Sequence, residues 1–375
     1  MSENVFTLNG NEVDFQPGET ILEAARRHDI DIPTLCHLAG ATPTGACRIC
    51  VVEIEGAETL MTACTTPVVK GMRVLTESPR VVETRRTLLE LMLAYGNHNC
   101  AAGQAGGENW TAYQLKAQEI DGDALCPAWG DCKLQELAFR YQARADRFVL
   151  TPDSPPPELA NPMIVRDFSR CIRCGRCIQA CNEIQVNRAI NYGYRGSDLK
   201  VVTPGDFPLA NSNCVFCGQC VEACPTGALV DSKARYRWRP WKTEKIRTTC
   251  PYCGVGCQQW LHVQDGRIVR VTAVEDAQPN QGRLCVKGRY GYDFIYSEGR
   301  LKTPLIREGE GFREVSWDEA LDLVAERFKE IIAASGPDAL AGVSCARSIN
   351  EDSYQMQKLF RAVFRTNNID HCART

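Results

Sequence analysis

The sequence predicts a mixed α+β protein made of several small domains, each organised around a group of cysteines. Three observations carry that expectation. The 375 residues suffice for two or three domains. The 21 cysteines fall into spaced groups. Short hairpin, strand and helix patterns separate those groups. With 46 acidic against 43 basic residues the net charge is −3, which gives no electrostatic reason to expect nucleic acid or an anionic membrane as a partner. No apolar run approaches the roughly 18 residues of a membrane span. The start, MSENVFTLNG, lacks the layout of a secretory signal, so the expected location is cytoplasmic. An odd number of cysteines cannot all pair as disulfides, and in a reducing compartment they serve as metal ligands or catalytic groups.

The first group is Cys36, Cys47, Cys50 and Cys64, spaced C-x10-C-x2-C-x13-C. Ahead of it, the chain reads as a hairpin turning at Asn9-Gly10 and then a short helix. Strand-like runs follow around Val51–Ile54 and Val68–Val74. Three ligands near one loop and a fourth from a later segment is how plant-type ferredoxins hold a [2Fe–2S] cluster, although the first gap here is ten rather than four. The stretch TLCHLAG…GACRICVVEIEG…TACTTPVVKGM resembles the N-terminal β-grasp ferredoxin domain of respiratory NADH dehydrogenase large subunits and of iron-only hydrogenases. That resemblance implies one [2Fe–2S] cluster on these four cysteines. A zinc site or four buried thiols are the alternatives.

Next, TRRTLLELMLAYGNHNC places apolar residues at helical spacing and leads to His98 and Cys100. Cys126 and Cys132 follow in LCPAWGDCKLQ. In the same relatives a histidine and three cysteines hold a [4Fe–4S] cluster with spacing H-x3-C-x2-C-x5-C. This chain keeps the final C-x5-C and the Leu-Gln after it, but has H-x1-C and 25 residues between Cys100 and Cys126. That insertion carries Gly103, Gly106 and Gly107, and a loop lengthens at modest entropic cost. The resemblance implies a His/Cys3 cluster domain with His98, Cys100, Cys126 and Cys132 as ligands; a lone surface histidine is the alternative for His98.

A proline-rich linker, TPDSPPPELANP, precedes an internal repeat. Cys171, Cys174, Cys177 and Cys181 recur as Cys214, Cys217, Cys220 and Cys224, each displaced by 43 residues. Both units read C-x2-C-x2-C-x3-C, the run of a two-cluster bacterial ferredoxin, in which the fourth cysteine crosses to the other cluster. By that rule Cys224 joins Cys171, Cys174 and Cys177, and Cys181 joins Cys214, Cys217 and Cys220. Asn182 stands where the second unit has Pro225, a departure expected to be minor.

The fourth group is Cys250, Cys253, Cys257 and Cys285, in TTCPYCGVGC…GRLCVKG, with a hairpin between them turning at Asp265-Gly266. It resembles the small β-rich [4Fe–4S] domain of molybdenum or tungsten enzymes that carry two pterin guanine dinucleotides. In those relatives the lysine matching Lys287 lies between cluster and pterin and assists electron passage, so Lys287 is the expected relay residue. A solvated surface lysine is the alternative. The basic-aromatic stretch RYRWRPWK at 235–242 is expected to lie as a linker across the cluster domains.

Beyond residue 300 an α/β pattern starts. Ser316 to Glu319 form a capping box, and Leu321, Val324, Ala325, Phe328, Ile331 and Ile332 share one helical face ending at Gly336. DALAGVS reads as a buried strand, Asn350 opens a second helix with Tyr354, Leu359, Phe360 and Val363 at core spacing, and Asn368–Asp370 lead toward a second strand. Cys345 and Cys372, left over from the four groups, are expected as small core residues. The expected segments are therefore 1–80, 81–145, a linker at 146–162, 163–240, 245–300, and 301–375 as the truncated start of a molybdopterin domain.

SINEDSYQMQKLFRAVFRTNNIDHCART resembles the part of formate dehydrogenase catalytic subunits that leads into the metal-binding residue, a selenocysteine or cysteine followed by histidine. The resemblance places that residue directly after Thr375 and suggests an in-frame selenocysteine codon read as a stop, a fragmented gene being the alternative. It implies formate oxidation to carbon dioxide at a molybdenum or tungsten bis(pterin guanine dinucleotide) centre in the complete protein, with no such activity in these 375 residues alone. Electrons would leave through one [2Fe–2S] and four [4Fe–4S] clusters, in the order Lys287, the Cys250 set, the paired cubanes, the His98 set and the Cys36 set. The implied acceptors are a diaphorase-type NADH/flavin subunit, ferredoxin or hydrogenase subunits. An NADH-quinone oxidoreductase large subunit and a freestanding multi-cluster electron carrier are the alternative readings.

Overall fold

The structure, a computed structural model, describes residues 4–98, 126–148 and 155–372. Cys100, the glycines of the insertion after it, the start of the proline-rich linker and Thr375 lie outside the described residues. The chain divides into two compact units, Met1–Glu244 with Gln264–Arg270, and Lys245–Val263 with Val271–Thr375.

The first unit begins with the expected hairpin. Val5–Leu8 (β1) and Asn11–Asp14 (β2) pair antiparallel across Asn9 and Gly10, whose φ angles of 51° and 87° suit a type I′ turn. Thr20 caps the helix Ile21–Arg27 (α1) through a reciprocal box with Glu23, worth about 1 kcal/mol. Val51–Ile54 (β3), Met61–Thr62 (β4) and Arg73–Leu75 (β5) complete a sheet of order β2-β1-β5-β3-β4, in which β1 and β5 run parallel. A mixed sheet holding one helix is the β-grasp layout. Its core of Phe6, Leu8, Ile21, Leu22, Val52 and Val74 takes in Cys50 and Cys64. The run expected as a strand over Val68–Val74 becomes one only at Arg73, because Gly71 turns the chain at a φ of 75°.

Ser78 and Pro79 start the helix Pro79–Tyr95 (α2), the Ser78 hydroxyl accepting from the Val81 amide. From this helix the fully buried Arg85 reaches back to the cysteine loop. It donates to the carbonyls of Ile49 (2.9 Å) and Val51 (2.8 Å), to the Tyr141 hydroxyl (2.7 Å) and to Glu77 (2.7 Å). Leu89 and Leu93 pack with Leu134, Leu137 and Ala138 of the helix Lys133–Arg140 (α3).

The internal repeat is repeated in the backbone. Arg173 and Phe216 both sit at positive φ (55° and 52°), as do Gly175 and Gly218 (79° and 73°), each pair separated by the same 43 residues as the cysteines. Each glycine opens a short helix, Arg176–Gln179 (α4) and Gln219–Ala223 (α5). The two halves then part. Pro225 has no amide to continue a helix, and α5 stops; at Asn182 the chain runs on as a π-helical turn, Ala180–Ile184. The absence of proline there, expected to be minor, thus adds a turn. Strands Ile164–Arg166 (β6) and Leu229–Asp231 (β9) pair across the repeat, and Asn191–Gly193 (β7) pairs with Lys200–Val202 (β8). In the following basic-aromatic stretch Trp238 and Arg239 are buried, and Arg239 donates to the Pro127 carbonyl, in keeping with a linker lying on the cluster domains.

A three-stranded sheet joins Glu244–Thr249 (β10), Gln258–Gln264 (β11) and Arg267–Ala273 (β12). Asp265 and Gly266, at φ of 50° and 71°, make the expected turn. In the second unit, Val286–Tyr290 (α6) carries Lys287, and Leu305–Glu308 (β13) pairs with Gly311–Glu314 (β14). Ser316 caps the helix Trp317–Ser335 (α7) from one side only, since the Glu319 carboxylate accepts from Arg313 instead of closing the box. Gly342–Ser344 (β15) and Ile369–His371 (β16) form a parallel pair, flanked by the helix Asn350–Lys358 (α8).

The apolar face of α7 is largely uncovered, with Leu321 58% and Val324 47% exposed, as two helices beside one strand pair leave it. Three expectations about this region are corrected. Val343 in β15 is 74% exposed rather than buried, and of the core positions expected after Asn350 only Phe360 is buried. Cys345 is half-buried and Cys372 exposed, so neither is a core residue. In each case the sequence pattern reports which side chains are apolar, not what covers them.

Candidate metal centres

The Cys36 loop gathers four thiols. The Sγ atoms of Cys50 and Cys64 lie 3.4 Å apart, and the Cys47 amide donates to the Cys36 Sγ at 3.4 Å. Hydrogen bonds from Cys47 and Cys64 hold the Cys36 thiol far below the ordinary range, and the same bond to Cys36, with burial, holds Cys47 far above it. The Cys64 thiol beside Cys50 draws it down to about 7. Such a four-sulfur set suits a metal group that replaces all four protons, since a coordinating thiol is deprotonated outright.

His98 meets Cys126 and Cys132 around one small cavity, with Trp129, Gln135 and Arg170. Gly96 allows the approach, because a methyl there would stand 2.5 Å from the Ser169 carbonyl, which instead accepts from the Asn97 amide at 2.8 Å. Burial, with the Arg170 guanidinium, lowers His98 to about 4, keeping the imidazole neutral as a metal ligand must be. The Lys133 amide donates to the Pro225 carbonyl at 2.9 Å, tying the Cys132 end of this site to the second ferredoxin run. Cys100, the fourth expected ligand, lies outside the described residues.

All eight cysteines of the repeat line a single cavity. Its electrostatic neighbourhoods cross between runs: Cys224 acts on Cys171 and Cys174, and Cys181 acts on Cys214 and Cys220. Burial pushes Cys171 up to about 11 and Cys174 up to about 12, and holds Cys177 well above the ordinary thiol range. Thiols so placed stay protonated unless a cation stands in for the proton. Among the described residues no three His, Cys, Asp or Glu side chains close on a single-ion site; these sulfurs ring a cavity.

In the second unit Cys250, Cys253, Cys257 and Cys285 come within electrostatic reach of one another. The Cys250 amide donates to the Cys257 carbonyl at 2.8 Å, and Gly256, at a φ of 71°, lets the loop close. Lys287 acts on Cys250, and its Nζ lies 5.8 Å from the centre of the Tyr252 ring.

The three sites of the first unit are physically joined. Cys36, Cys47 and Cys174 belong to one buried core with Leu35 and Ile49, and Cys126 and Cys132 pack against it. Glu183, on the added π turn, accepts from both the amide and the hydroxyl of Thr42 at 2.8 Å, and Gln179 donates to the Thr42 carbonyl. Glu183→Ala is expected to speed hydrogen exchange of the Thr42 amide roughly tenfold, the loss of about 1.4 kcal/mol, measurable by exchange mass spectrometry on the full chain.

Comparison with known proteins matches four domain families in the order of these sites. A 2Fe-2S iron-sulfur cluster binding domain matches residues 4–79 and a 4Fe-4S dicluster domain residues 170–228. The molybdopterin oxidoreductase Fe4S4 domain matches 243–297, and the molybdopterin oxidoreductase family matches 300–375. The matches therefore run from iron–sulfur domains at the N-terminal end to molybdopterin oxidoreductase domains at 243–297 and 300–375. Similar to this chain are the NADPH-Fe(3+) oxidoreductase subunit alpha of Geobacter sulfurreducens (37% identity over 98% of this chain and 40% of that one) and an NADH-quinone oxidoreductase subunit of Rhizobium meliloti (34%, over 98% and 40%). A Staphylococcus aureus protein, provisionally named a formate dehydrogenase, is 30% identical over 99% of this chain and 39% of its own. The chain thus spans about 40% of the length of these relatives. The crystal structure of an NAD+-reducing [NiFe]-hydrogenase in the H2-reduced state matches with a TM-score of 0.53 at 29% identity, covering 64% of this chain and 91% of that one.

In this chain, then, the sequence-predicted residues inside the described region are brought into four sets. Sequence reasoning missed Arg85, Arg170 and Glu183, because an isolated arginine or glutamate carries no spacing signal; only the fold aims them at the sites. Among the described residues no helix is long and apolar enough to cross a membrane.

Proposed function

We propose that this chain is the electron-relaying N-terminal part of a formate dehydrogenase-type catalytic subunit. The relay rests on one observation: Cys36, Cys47 and Cys174 share a buried core against which Cys126 and Cys132 pack. In the proposed ligand sets Cys36, Cys47, Cys50 and Cys64 hold a [2Fe–2S] cluster. His98, Cys100, Cys126 and Cys132 hold a [4Fe–4S] cluster, the crossed ferredoxin sets hold two, and Cys250, Cys253, Cys257 and Cys285 hold another. Bound clusters supply one-electron carriers with potentials anywhere from about −700 to +450 mV, set by ligation, burial, charge and hydrogen bonds. The protein's share is to anchor and tune. Burial keeps water from Cys174 and Cys177, and Arg170 brings a buried positive charge to the His98 set, favouring its reduced form. Lys287 stands beside Cys250 as the link toward the pterin side. The Thr42–Glu183 clasp supports a direct step between the ferredoxin and Cys36 sets, so the His98 set need not lie between them.

Formate is the proposed substrate of the complete protein, supported by the HCART ending and by the Staphylococcus aureus relative. A diaphorase-type NADH/flavin subunit, ferredoxin or a hydrogenase subunit is the proposed acceptor, supported by the nicotinamide-linked names of the other relatives. Those names, at higher identity, also favour a second reading, a nicotinamide-linked oxidoreductase subunit that uses no formate. Formate-dependent dye reduction by the complete, molybdenum- or tungsten-loaded protein supports the first; NADH- or NADPH-dependent dye reduction by its complex without formate activity decides for the second. For the relay itself, the anaerobically purified chain is expected to carry about 18 irons, with both cluster types visible by electron paramagnetic resonance after reduction. About 14 irons would point to the His98 set as empty, and a colourless, iron-free chain would end the proposal.

A further inference from the structure

Cys345 and Cys372 belong to none of the four sets, and the fold brings them together. The parallel pair of β15 and β16 runs in register from Gly342↔Ile369 through Val343↔Asp370 to Ser344↔His371. One residue on, the same register sets Cys345 opposite Cys372, and their Sγ atoms lie 3.5 Å apart. Neighbouring strands lie about 4.8 Å apart, inside the Cα separation of roughly 4.4–6.8 Å that a disulfide spans. Cys372 is exposed and Cys345 half-buried, so a small reagent can reach the pair.

We propose that Cys345 and Cys372 form a reversible dithiol–disulfide modification site that exchanges with low-molecular-weight disulfides. Cys372 is the attacking thiol. The Ala346 amide, the Cys345 thiol and the Arg347 guanidinium favour its thiolate. In the first step the Cys372 thiolate attacks the small disulfide, a mixed disulfide forms, and one small thiolate leaves. In the second, Cys345 gives its proton to solvent and attacks the Cys372 sulfur, closing the Cys345–Cys372 bond as the second small thiolate leaves. Two electrons pass from the pair to the reagent, which ends as two thiols. Cytosolic disulfides of this transient kind serve catalysis or redox sensing. Here the bond would fasten the carboxyl ends of two parallel strands, where open α/β sheets bind their ligands.

The test equilibrates the full, cluster-loaded chain in anaerobic glutathione buffers of graded oxidised-to-reduced ratio, followed by acid quenching, alkylation and tryptic mass spectrometry. Trypsin separates the peptide ending at Arg347 from the one spanning Thr366 to Arg374, so a bond between them is read directly. The expected result is one reversible transition to the linked peptide pair, with cluster spectra unchanged. In Cys345→Ser the linked pair should be lost, and Cys372 should accumulate as the glutathione mixed disulfide. Recovery of both cysteines alkylated in every buffer would overturn the proposal. So would a linked pair that forms only after iron has been stripped from the chain.

Discussion

Replacing Arg85 with methionine is expected to cost the N-terminal domain several kcal/mol and to release its iron. The side chain is fully buried and serves two carbonyls, those of Ile49 and Val51, on either side of Cys50. Methionine fills much of the volume but donates nothing, so each stranded buried carbonyl costs about 1–3 kcal/mol. Both carbonyls belong to the segment that presents Cys47 and Cys50, so the loss falls on the [2Fe–2S] loop. The measurement is the urea midpoint for bleaching of that centre in the full chain. Arg85→Lys should fall between wild type and Arg85→Met, because one ammonium keeps the charge but cannot span both carbonyls and Glu77 as the guanidinium fork does. An unchanged midpoint for Arg85→Met would show that the loop holds its shape without this brace.

Cys224→Ala is expected to give the same phenotype as Cys171→Ala, and Cys181→Ala the same as Cys214→Ala. Each substitution removes one of four ligands and with it about four irons. The expectation follows from the electrostatic neighbourhoods in the shared cavity, in which Cys224 acts on Cys171, Cys174 and Cys177, while Cys181 acts on Cys214 and, ahead of Cys224, on Cys220. Comparison of residual paramagnetic resonance spectra decides it. If Cys224→Ala leaves the spectrum of Cys214→Ala instead, each run binds its own cluster.

The cysteine groups were legible in the sequence because cluster chemistry demands one residue type at nearly fixed intervals, and the Asn9-Gly10 and Asp265-Gly266 turns because few residue pairs accept two positive φ angles. Contacts between modules were not legible. Nothing in the spacing of the first ferredoxin run says that Glu183 meets Thr42, 141 residues earlier in the chain. Nor does helical periodicity separate Leu321, which is exposed, from Leu89, which is buried, since both lie on apolar faces and only the surroundings differ. Strand propensity marked Gly342–Ser344 but not its partner's register, and that register decides that Cys345 and Cys372 meet.

The exchange of a proline for Asn182 has one more consequence. Two equivalent halves would offer a neighbour the same handhold at either end, and traffic through them would have no built-in heading. With Pro225 ending one half and the extra turn extending the other, the first half grips the N-terminal domain through Glu183 and Gln179. The extra turn thus gives a repeated pair of carriers a front and a back.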